Sequence, residues 1–287
     1  FNALGVNAAA IGNHEFDYGP PVLESCRKRM DHPIVCANFI DKKTGDSFFD
    51  GKKYVVLTRN GIRIGIFALA GDEFTRLIPA AKMPKDTEFL PGIESAKETV
   101  KTLREKEKVD LVVLIGHRRY EEDMDLAKLV PGLDLIFGTH SHRKEELMKI
   151  PGTQTWFISA YQYATYVSRV RIDFPTVGGF KVSGGLVKMS EKLAQDPTIK
   201  ARVENQQQEL IADPLFSPNF KKIGVAKTEL SDAGVSGGES IIGNLFTDQM
   251  RSRAGAHLAV LTASSFRAGI PPGDVLLEDF KAAFHYK

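Results

Sequence analysis

Several residue types that mark whole classes of protein are scarce in this chain. Only two of its 287 residues are cysteines, Cys26 and Cys36, which excludes a small scaffold held by disulfides. Because Cys36 lies in the apolar segment 34–37, a buried free thiol is favoured over a disulfide. No apolar run is long enough to cross a membrane, and no Asn-x-Ser/Thr sequon occurs. These absences favour a globular protein, and they do not decide its cellular compartment.

An excess of charge of one sign is also lacking. The chain has 38 lysines and arginines against 36 aspartates and glutamates, a formal net charge of +2. No basic run is long enough to follow a phosphate backbone, so the sequence predicts no nucleic-acid partner. Hydrophobic residues make up 43% and charged residues 26%, which is ordinary for a globular protein with one large domain or two smaller ones.

Both ends of the sequence lack the signals with which a domain begins and finishes. Residues 1–5 look like the end of a helix, with no start signal and no leader peptide. Residues 277–286 begin a new helix with no domain behind it. We therefore expect that residues are missing at each end.

An apolar strand, then a glycine, then an asparagine or a histidine is a pattern that occurs three times. Strands predicted at 8–11, 110–115 and 134–137 precede Gly12-Asn13-His14, Gly116-His117 and Gly138-Thr139-His140-Ser141-His142. In α/β folds the ends of neighbouring strands meet at one edge, where such folds place their sites. One histidine at a strand end is usually a structural residue. Four of the seven histidines lie at such ends, which favours a joint site.

The residue types at these strand ends are those of a metal-dependent site. The carbonyl of Asn13 and the imidazoles are metal ligands, and imidazole favours Zn, Mn, Fe, Co or Ni over Mg or Ca. His14 can donate a proton, and Asp17 can orient its ring. The competing interpretation of Asp17 is a helix N-cap, and one carboxylate could serve both purposes.

Periodicity and turn residues predict the other elements of an α/β protein. The predicted elements are a hairpin at 54–67 about Asn60-Gly61, helices at 93–108, 124–130, 196–212 and 239–253, and strands at 34–37, 155–159, 166–172, 180–188, 222–226 and 258–261. The helix 196–212 is polar all round, as expected for a helix exposed between domains. The only tryptophan, Trp156, is interpreted as core packing.

Residues 12–19, GNHEFDYG, resemble the signature block of the 5′-nucleotidases, a branch of the calcineurin-like metallophosphoesterases. Residues 133–142 are similar to another metal block, with Thr139 where glycine is usual. Gly116-His117 is similar to the middle block, but Arg118 and Arg119 replace the small residues that normally follow. We interpret these two arginines as solvated.

The resemblance implies an α/β fold in three parts. Residues 1–192 would form most of a four-layer α-β-β-α metallophosphoesterase sandwich that lacks its first strands. Residues 193–219 would be a linker helix. Residues 220–287 would begin an α/β C-terminal domain that recognises the substrate.

The resemblance also implies roles for the residues at the strand ends. Four of them would hold two divalent metal ions: Asn13, His117 and His140 one ion, and His142 the other. His14 would stabilise the transition state or protonate the leaving oxygen, and Asp17 would pair with it. The implied reaction is hydrolysis of a phosphate monoester, most specifically a nucleoside 5′-monophosphate, by a metal-bound hydroxide.

One part of the implied metal centre has no counterpart in this sequence. The family also has an Asp-x-His block and a Gly-Asp block, which lie upstream of the Asn-His pair and supply the bridging carboxylate. The twelve residues before Asn13 contain neither aspartate nor histidine. We expect either that these blocks lie outside the sequence in hand, or that the chain is an inactive relative.

Residues near the C-terminus resemble the substrate-recognising domain of the same family. Residues 239–245 (ESIIGNL) match its helix block, and residues 263–267 (ASSFR) fall where the family has Asn-Gly-Gly-x-Arg. Arg267 would bind the substrate phosphate as a bidentate donor. Tyr286 falls at the place of a phenylalanine that stacks on the base. Gly238 stands where an arginine is usual, so UDP-sugars, cyclic nucleotides, other phosphomonoesters and thiosulfonates stay open as substrates.

The predicted partner is thus a small phosphoester, with no nucleic acid and no membrane span. A non-catalytic binding protein that keeps the fold is the alternative of a different class. Members of the family are often periplasmic, extracellular or attached to the cell surface, whereas the sequence in hand shows no signal peptide. The sequence makes no prediction of oligomeric state.

Overall fold

The computed structural model describes residues 1–175, 179–190, 192–235 and 237–284, and it divides into two compact units at Ala194 and Gln195. The strands of the first unit are β1 Phe39–Asp41, β2 Tyr54–Arg59, β3 Ile62–Phe67, β4 Thr87–Phe89, β5 Leu111–Ile115, β6 Leu135–Gly138, β7 Lys144–Lys149, β8 Trp156–Ala160, β9 Tyr166–Asp173 and β10 Lys181–Lys188. Its helices are α1 Pro20–Lys28, α2 Phe74–Leu77, α3 Gly92–Lys101, which continues as a π-helical turn Thr102–Lys106, and α4 Tyr120–Leu129.

A six-stranded sheet in the order β2-β3-β5-β6-β8-β7 organises the first unit. Strands β3, β5, β6 and β8 are parallel, and the edge strands β2 and β7 run antiparallel to their neighbours. The predicted hairpin is confirmed: Asn60 and Gly61, with φ angles of 51° and 81°, connect β2 to β3. Four strands therefore finish at the same edge of the sheet.

Side chains alternate across this sheet and are buried on both faces. Val112 and Leu114 of β5 face a core with helices α3 and α4, whereas Leu111 and Val113 face the hairpin of β9 and β10. Trp156 packs in the second of these cores, as predicted. The mixed α/β class is confirmed, and helices, sheet and hairpin form three of the four predicted layers.

A separate aromatic cluster holds the N-terminal segment against the two-stranded sheet of β1 and β4. Phe16 is 1% exposed and lies edge-on to Phe39, with ring centroids 5.6 Å apart. Phe39 in turn stacks on Phe89 at 4.5 Å. Cys36 is buried here as a free thiol, as predicted, and burial raises its pKa to about 11. The cluster fixes the start of the 12–19 block.

The predicted strands at 8–11 and 34–37 are both wrong. Ala9 forms a single parallel bridge with Ile34, and the pairing stops there. Pro33 has no N–H with which to extend it in one direction. In the other direction, the N–H of Ala37 donates instead to the carbonyl oxygen of Ala68, beyond β3.

The second unit contains β11 Lys222–Ala226, β12 Gly273–Leu276, α5 Pro197–Ala212, α6 Ile241–Ala254 and α7 Leu277–Ala283. The predicted helix 196–212 is present as α5, which Asp196 caps, and no residue of this helix is buried. The core of the unit is small and centres on Phe246, which contacts Phe266 and Phe284. The predicted strand 258–261 is wrong: these residues form no strand, and Leu258 and Val260 are exposed. The predicted boundaries at 192 and 219 stay predictions.

Gly138, at the end of β6, has no room for a side chain. A Cβ atom there would lie 2.5 Å from Cζ of Phe157, a buried ring of β8. We expect Gly138→Ala to lower the free energy of unfolding of the first unit by about 1–3 kcal/mol, because the core would be overpacked. Urea unfolding followed by the fluorescence of Trp156 measures this.

Gly116, at the end of β5, is the matched control. A Cβ atom there would lie 3.6 Å or more from its neighbours, in ordinary contact. Gly116→Ala should change stability by less than about 0.5 kcal/mol. Equal losses in the two variants would contradict this description of the packing.

Candidate metal centre

The carboxyl ends of β3, β5 and β6 bring the predicted polar residues together at one edge of the sheet. The segment after β5 continues beside the segment after β3, since the N–H of His117 donates to the carbonyl oxygen of Leu69 (3.0 Å). His140 follows β6, and its ring centroid lies 4.8 Å from that of His117. The convergence expected from the strand pattern is therefore present for these two rings.

Gly12 brings the Asn13–Phe16 turn close to His117. A Cβ atom at position 12 would lie 3.0 Å from both Cε1 and Nε2 of the His117 ring. Glu15 fixes the same turn, because its carboxylate accepts the N–H of Gly12 at 2.5 Å. Asn13 thus begins a 3₁₀ turn that is anchored next to the imidazole edge.

His117 is largely buried, and its Nδ1 takes part in a hydrogen bond. Nδ1 lies 2.8 Å from Oγ1 of Thr139. Burial, together with the charges of His140, His142 and His14, lowers the pKa of His117 to about 4. The ring is therefore neutral near pH 7, which is the form that binds a metal.

His140 is held by a buried carboxylate that the sequence analysis missed. Its Nε2 lies 2.6 Å from Oε1 of Glu73, and Arg119 forms an ion pair with the other oxygen of the same carboxylate. Burial alone would raise the pKa of Glu73, but the hydrogen bonds from Arg119 and His140 outweigh it and lower the pKa. A carboxylate on one imidazole nitrogen is the usual support of a histidine whose other nitrogen binds a metal.

A visible signal for Glu73 is present in the sequence. The apolar residues of β3 and the following segment end in Gly71-Asp72-Glu73, the same order of strand, glycine and polar residue found at the other strand ends. The polar residues here are carboxylates, whereas the pattern used to find the other strand ends required an asparagine or a histidine.

The donor atoms left free at this edge fit a divalent metal ion. Oδ1 of Asn13 is buried and has no hydrogen-bond partner in the part of the chain that the structure describes. Nε2 of His117 and Nδ1 of His140 have no hydrogen-bond partner among the described residues. Among the described residues, no three His, Cys, Asp or Glu side chains lie close enough together to hold a metal ion. A site built on these two imidazoles therefore needs the Asn13 amide as a further ligand. Imidazole nitrogens with an amide oxygen suit a borderline metal such as Zn, Mn, Fe or Co.

His14 and Asp17 lie on the exposed side of the same turn. Nδ1 of His14 is 2.9 Å from Oδ2 of Asp17, and the two side chains are 73% and 56% exposed. The predicted pairing is present, and Nε2 of His14 faces outward from it. The catalytic role of the pair stays a prediction.

His142 lies beyond His140 on a strained segment. Its φ is 50°, and its ring centroid lies 6.3 Å from that of Tyr163. The loop of Tyr163 also has left-handed backbone at Tyr161, Tyr163 and Ala164, with φ of 68°, 55° and 52°. Backbone strain of this kind in residues other than glycine is concentrated at functional sites.

Arg118 is not solvated, contrary to the sequence interpretation. Its side chain is 1% exposed and lies among carboxylates, 3.4 Å from Asp72 and 3.7 Å from Asp123. The sequence could not show this, because Asp72 comes from the segment after β3 and Asp123 from helix α4. Arg119 is about half exposed and forms the ion pair with Glu73 described above, so its interpretation as merely solvated is also incomplete.

The two residues assigned to substrate recognition lie in the second unit. Arg267 is exposed, and its backbone N–H donates to the carbonyl oxygen of Ala283 at 3.0 Å. Tyr286 lies outside the described residues. The roles of both stay predictions.

Comparison with known proteins agrees with the blocks in the sequence. Residues 222–287 match the family "5′-nucleotidase, C-terminal domain". Over 96% of its length the chain is 27% identical to the trifunctional nucleotide phosphoesterase protein YfkN of Bacillus subtilis, and over 97% it is 27% identical to Protein UshA of Yersinia enterocolitica. It spans 21% of the first relative and 58% of the second.

A solved structure shows the same fold. The 5′-nucleotidase precursor from Thermus thermophilus superposes with a TM-score of 0.76 over 98% of this chain and 58% of its own, at 24% identity. The chain thus shares the fold of this precursor, and the polar residues after β3, β5 and β6 lie at one edge of the sheet. The resemblance seen in the sequence is confirmed: the chain is similar to a nucleotide phosphoesterase and to UshA, and its residues 222–287 match the C-terminal domain of 5′-nucleotidases.

None of the helices in the described ranges is both long and apolar enough to cross a membrane.

The buried Asp123 gives the first unit a pH-dependent stability. Burial raises its pKa to about 7, although the Arg118 charge opposes this. The folded state therefore holds the proton more tightly than the unfolded state, where a carboxyl has a pKa of about 3.9. The free energy of unfolding should therefore fall as the pH rises from about 4 to about 7, by at most about 1.4 kcal/mol per pH unit.

Comparison of variants across this pH range isolates the contribution of Asp123. Asp123→Asn should lose the decline, as measured by urea unfolding at several pH values. Asp125→Asn, an exposed change on the same helix, should keep it. Parallel pH curves for the wild type and Asp123→Asn would contradict the assignment.

Proposed function

We propose that this protein is a metal-dependent phosphoric monoester hydrolase, most specifically a 5′-nucleotidase that releases phosphate from nucleoside 5′-monophosphates. The observation that carries the proposal is the set of free donor atoms at the sheet edge: Oδ1 of Asn13, Nε2 of His117 and Nδ1 of His140. Each lies in a block that resembles the 5′-nucleotidases, and a relative similar along 96% of the chain is named a nucleotide phosphoesterase.

Asn13, His117 and His140 would hold one divalent metal ion, and His142 would contribute to a second. Bound metal ions supply Lewis acidity and neutralise the charge of the phosphoryl oxygens. The neutral ring of His117 needs no deprotonation to act as a ligand. Glu73 holds the His140 ring in place by accepting its Nε2–H.

His14 would assist the departure of the leaving oxygen. Its Nδ1–H is donated to Asp17, which fixes the orientation of the ring and leaves Nε2 as the other ring nitrogen. Nε2 of the same ring points away from this pair on a largely exposed side chain, where a substrate can reach it. A proton on Nε2 can then pass to the alkoxide that forms as the bond from phosphorus to oxygen breaks.

Substrate recognition rests on the resemblance alone. Arg267 would hold the phosphate of the substrate, and Tyr286 would stack on the base. Gly238 in place of the usual arginine leaves UDP-sugars, cyclic nucleotides and other phosphoesters as alternative substrates. A binding protein that keeps the fold without catalysis is the alternative outside the enzymes.

Activity and metal content of the full-length protein, numbered as here, test the proposal together. After loading with Mn, Zn or Co, the wild type should release inorganic phosphate from a nucleoside 5′-monophosphate. His14→Ala should lower kcat by about 10²- to 10⁴-fold with unchanged metal content, since this ring transfers a proton and binds no metal. His117→Ala should lose bound metal, as measured by elemental analysis.

His257→Ala is the control, because this histidine is exposed and belongs to the second unit, whereas the predicted metal ligands belong to the first. It should leave both readouts unchanged. Metal without phosphate release from any phosphoester would favour the binding protein. Phosphate release from a UDP-sugar or a cyclic nucleotide alone would overturn the nucleoside monophosphate and keep the hydrolase. Equal kcat in the wild type and His14→Ala would contradict the role of His14.

A further inference from the structure

The hydroxyl of Thr139 lies between two groups of the neighbouring strand end. Its Oγ1 is 2.9 Å from the carbonyl oxygen of Gly116 and 2.8 Å from Nδ1 of His117. Both contacts join the segment after β6 to the segment after β5. The hydroxyl therefore touches the one ring that also lies against Gly12.

A count of protons decides the direction of these two hydrogen bonds. A threonine hydroxyl has one proton to donate and lone pairs to accept. The carbonyl oxygen of Gly116 can only accept, so the proton of Thr139 goes to it. Oγ1 is then an acceptor toward His117, and Nδ1 of that ring must carry a proton. A neutral imidazole has one ring proton, so Nε2 is left with a free lone pair.

We propose that Thr139 is a positioning residue that fixes the proton of His117 on Nδ1 and so presents Nε2 as the ligand nitrogen toward the Asn13 turn. In water the Nε2–H form is the commoner one for a neutral histidine, so this arrangement is imposed by the fold. The claim about the proton stands by itself. The claim that Nε2 meets a metal rests on the proposed function.

The neighbouring ring is fixed in the opposite sense. Nε2 of His140 faces the buried carboxylate of Glu73, which accepts its proton and leaves Nδ1 free. Thr139 and Glu73 thus select different nitrogens in two rings whose centroids are 4.8 Å apart. Loss of Thr139 should disturb one ring and leave the other as it is.

The tautomer of His117 can be read directly by two-dimensional ¹H–¹⁵N NMR of the imidazole rings in the metal-free protein, near pH 7.5. The signals of His117 are assigned by their loss in His117→Asn. In the wild type we expect Nδ1–H as the main form. Thr139→Val removes the hydroxyl at nearly constant volume and should shift His117 toward Nε2–H. Thr139→Ser keeps the hydroxyl and should restore the wild-type pattern.

Two controls separate this role from a loss of structure. Thr155→Val removes a hydroxyl just before β8 begins, which donates to the carbonyl oxygen of Leu133 at the opposite end of the parallel strands from His117, and should leave the pattern of His117 unchanged. His140 should keep its Nε2–H form in Thr139→Val. Nε2–H as the main form of His117 in the wild type, or an unchanged pattern in Thr139→Val, would overturn the proposal.

Zinc affinity is the second readout. Thr139→Val should bind zinc about 10- to 100-fold more weakly than the wild type, as expected when the partner of a ligating histidine is lost, and Thr139→Ser should not. If the wild type shows the Nδ1–H form but binds no zinc, the role of Thr139 in setting the proton stands and the proposed metal function fails. The two claims can thus fail separately.

Discussion

Parallel pairing of β3, β5, β6 and β8 is the constraint on which the candidate site depends. Parallel strands end on one side, so the chain must leave each of them at the same edge of the sheet. The segments that follow β3, β5 and β6 carry Glu73, His117 and His140. Residues separated by more than sixty positions are brought within hydrogen-bond distance in this way, as Glu73 and His140 show.

A second constraint is that the polar groups at this edge are already partly satisfied within the protein. Thr139 occupies one nitrogen of His117 and Glu73 occupies one nitrogen of His140. What is left over is specific: one nitrogen in each ring and the buried carbonyl of Asn13. Buried acceptors without a partner are rare and costly, so the one on Asn13 marks a position where a bound ligand would satisfy it. The site is therefore defined by what its neighbours leave free.

The sequence could predict those features that depend on short segments. Asn60-Gly61 predicted the hairpin because both positions favour positive φ, and apolar runs that end in glycine predicted β5 and β6 with their histidines. Arg118 could not be placed, because its burial depends on carboxylates from two other elements. The predicted strand at 8–11 failed because the adjoining segment contains Pro33 and is bonded elsewhere at Ala37.

X-ray absorption spectroscopy of the full-length protein with about one equivalent of bound zinc tests the metal centre most directly. The first coordination shell of the zinc should consist of nitrogen and oxygen only. It should include at least two imidazole rings, with zinc–nitrogen distances of about 2.0–2.1 Å. The imidazole contribution should fall in His117→Ala and stay unchanged in His257→Ala. A shell without imidazole, or one that His117→Ala leaves intact, would contradict a metal held by the residues at this sheet edge.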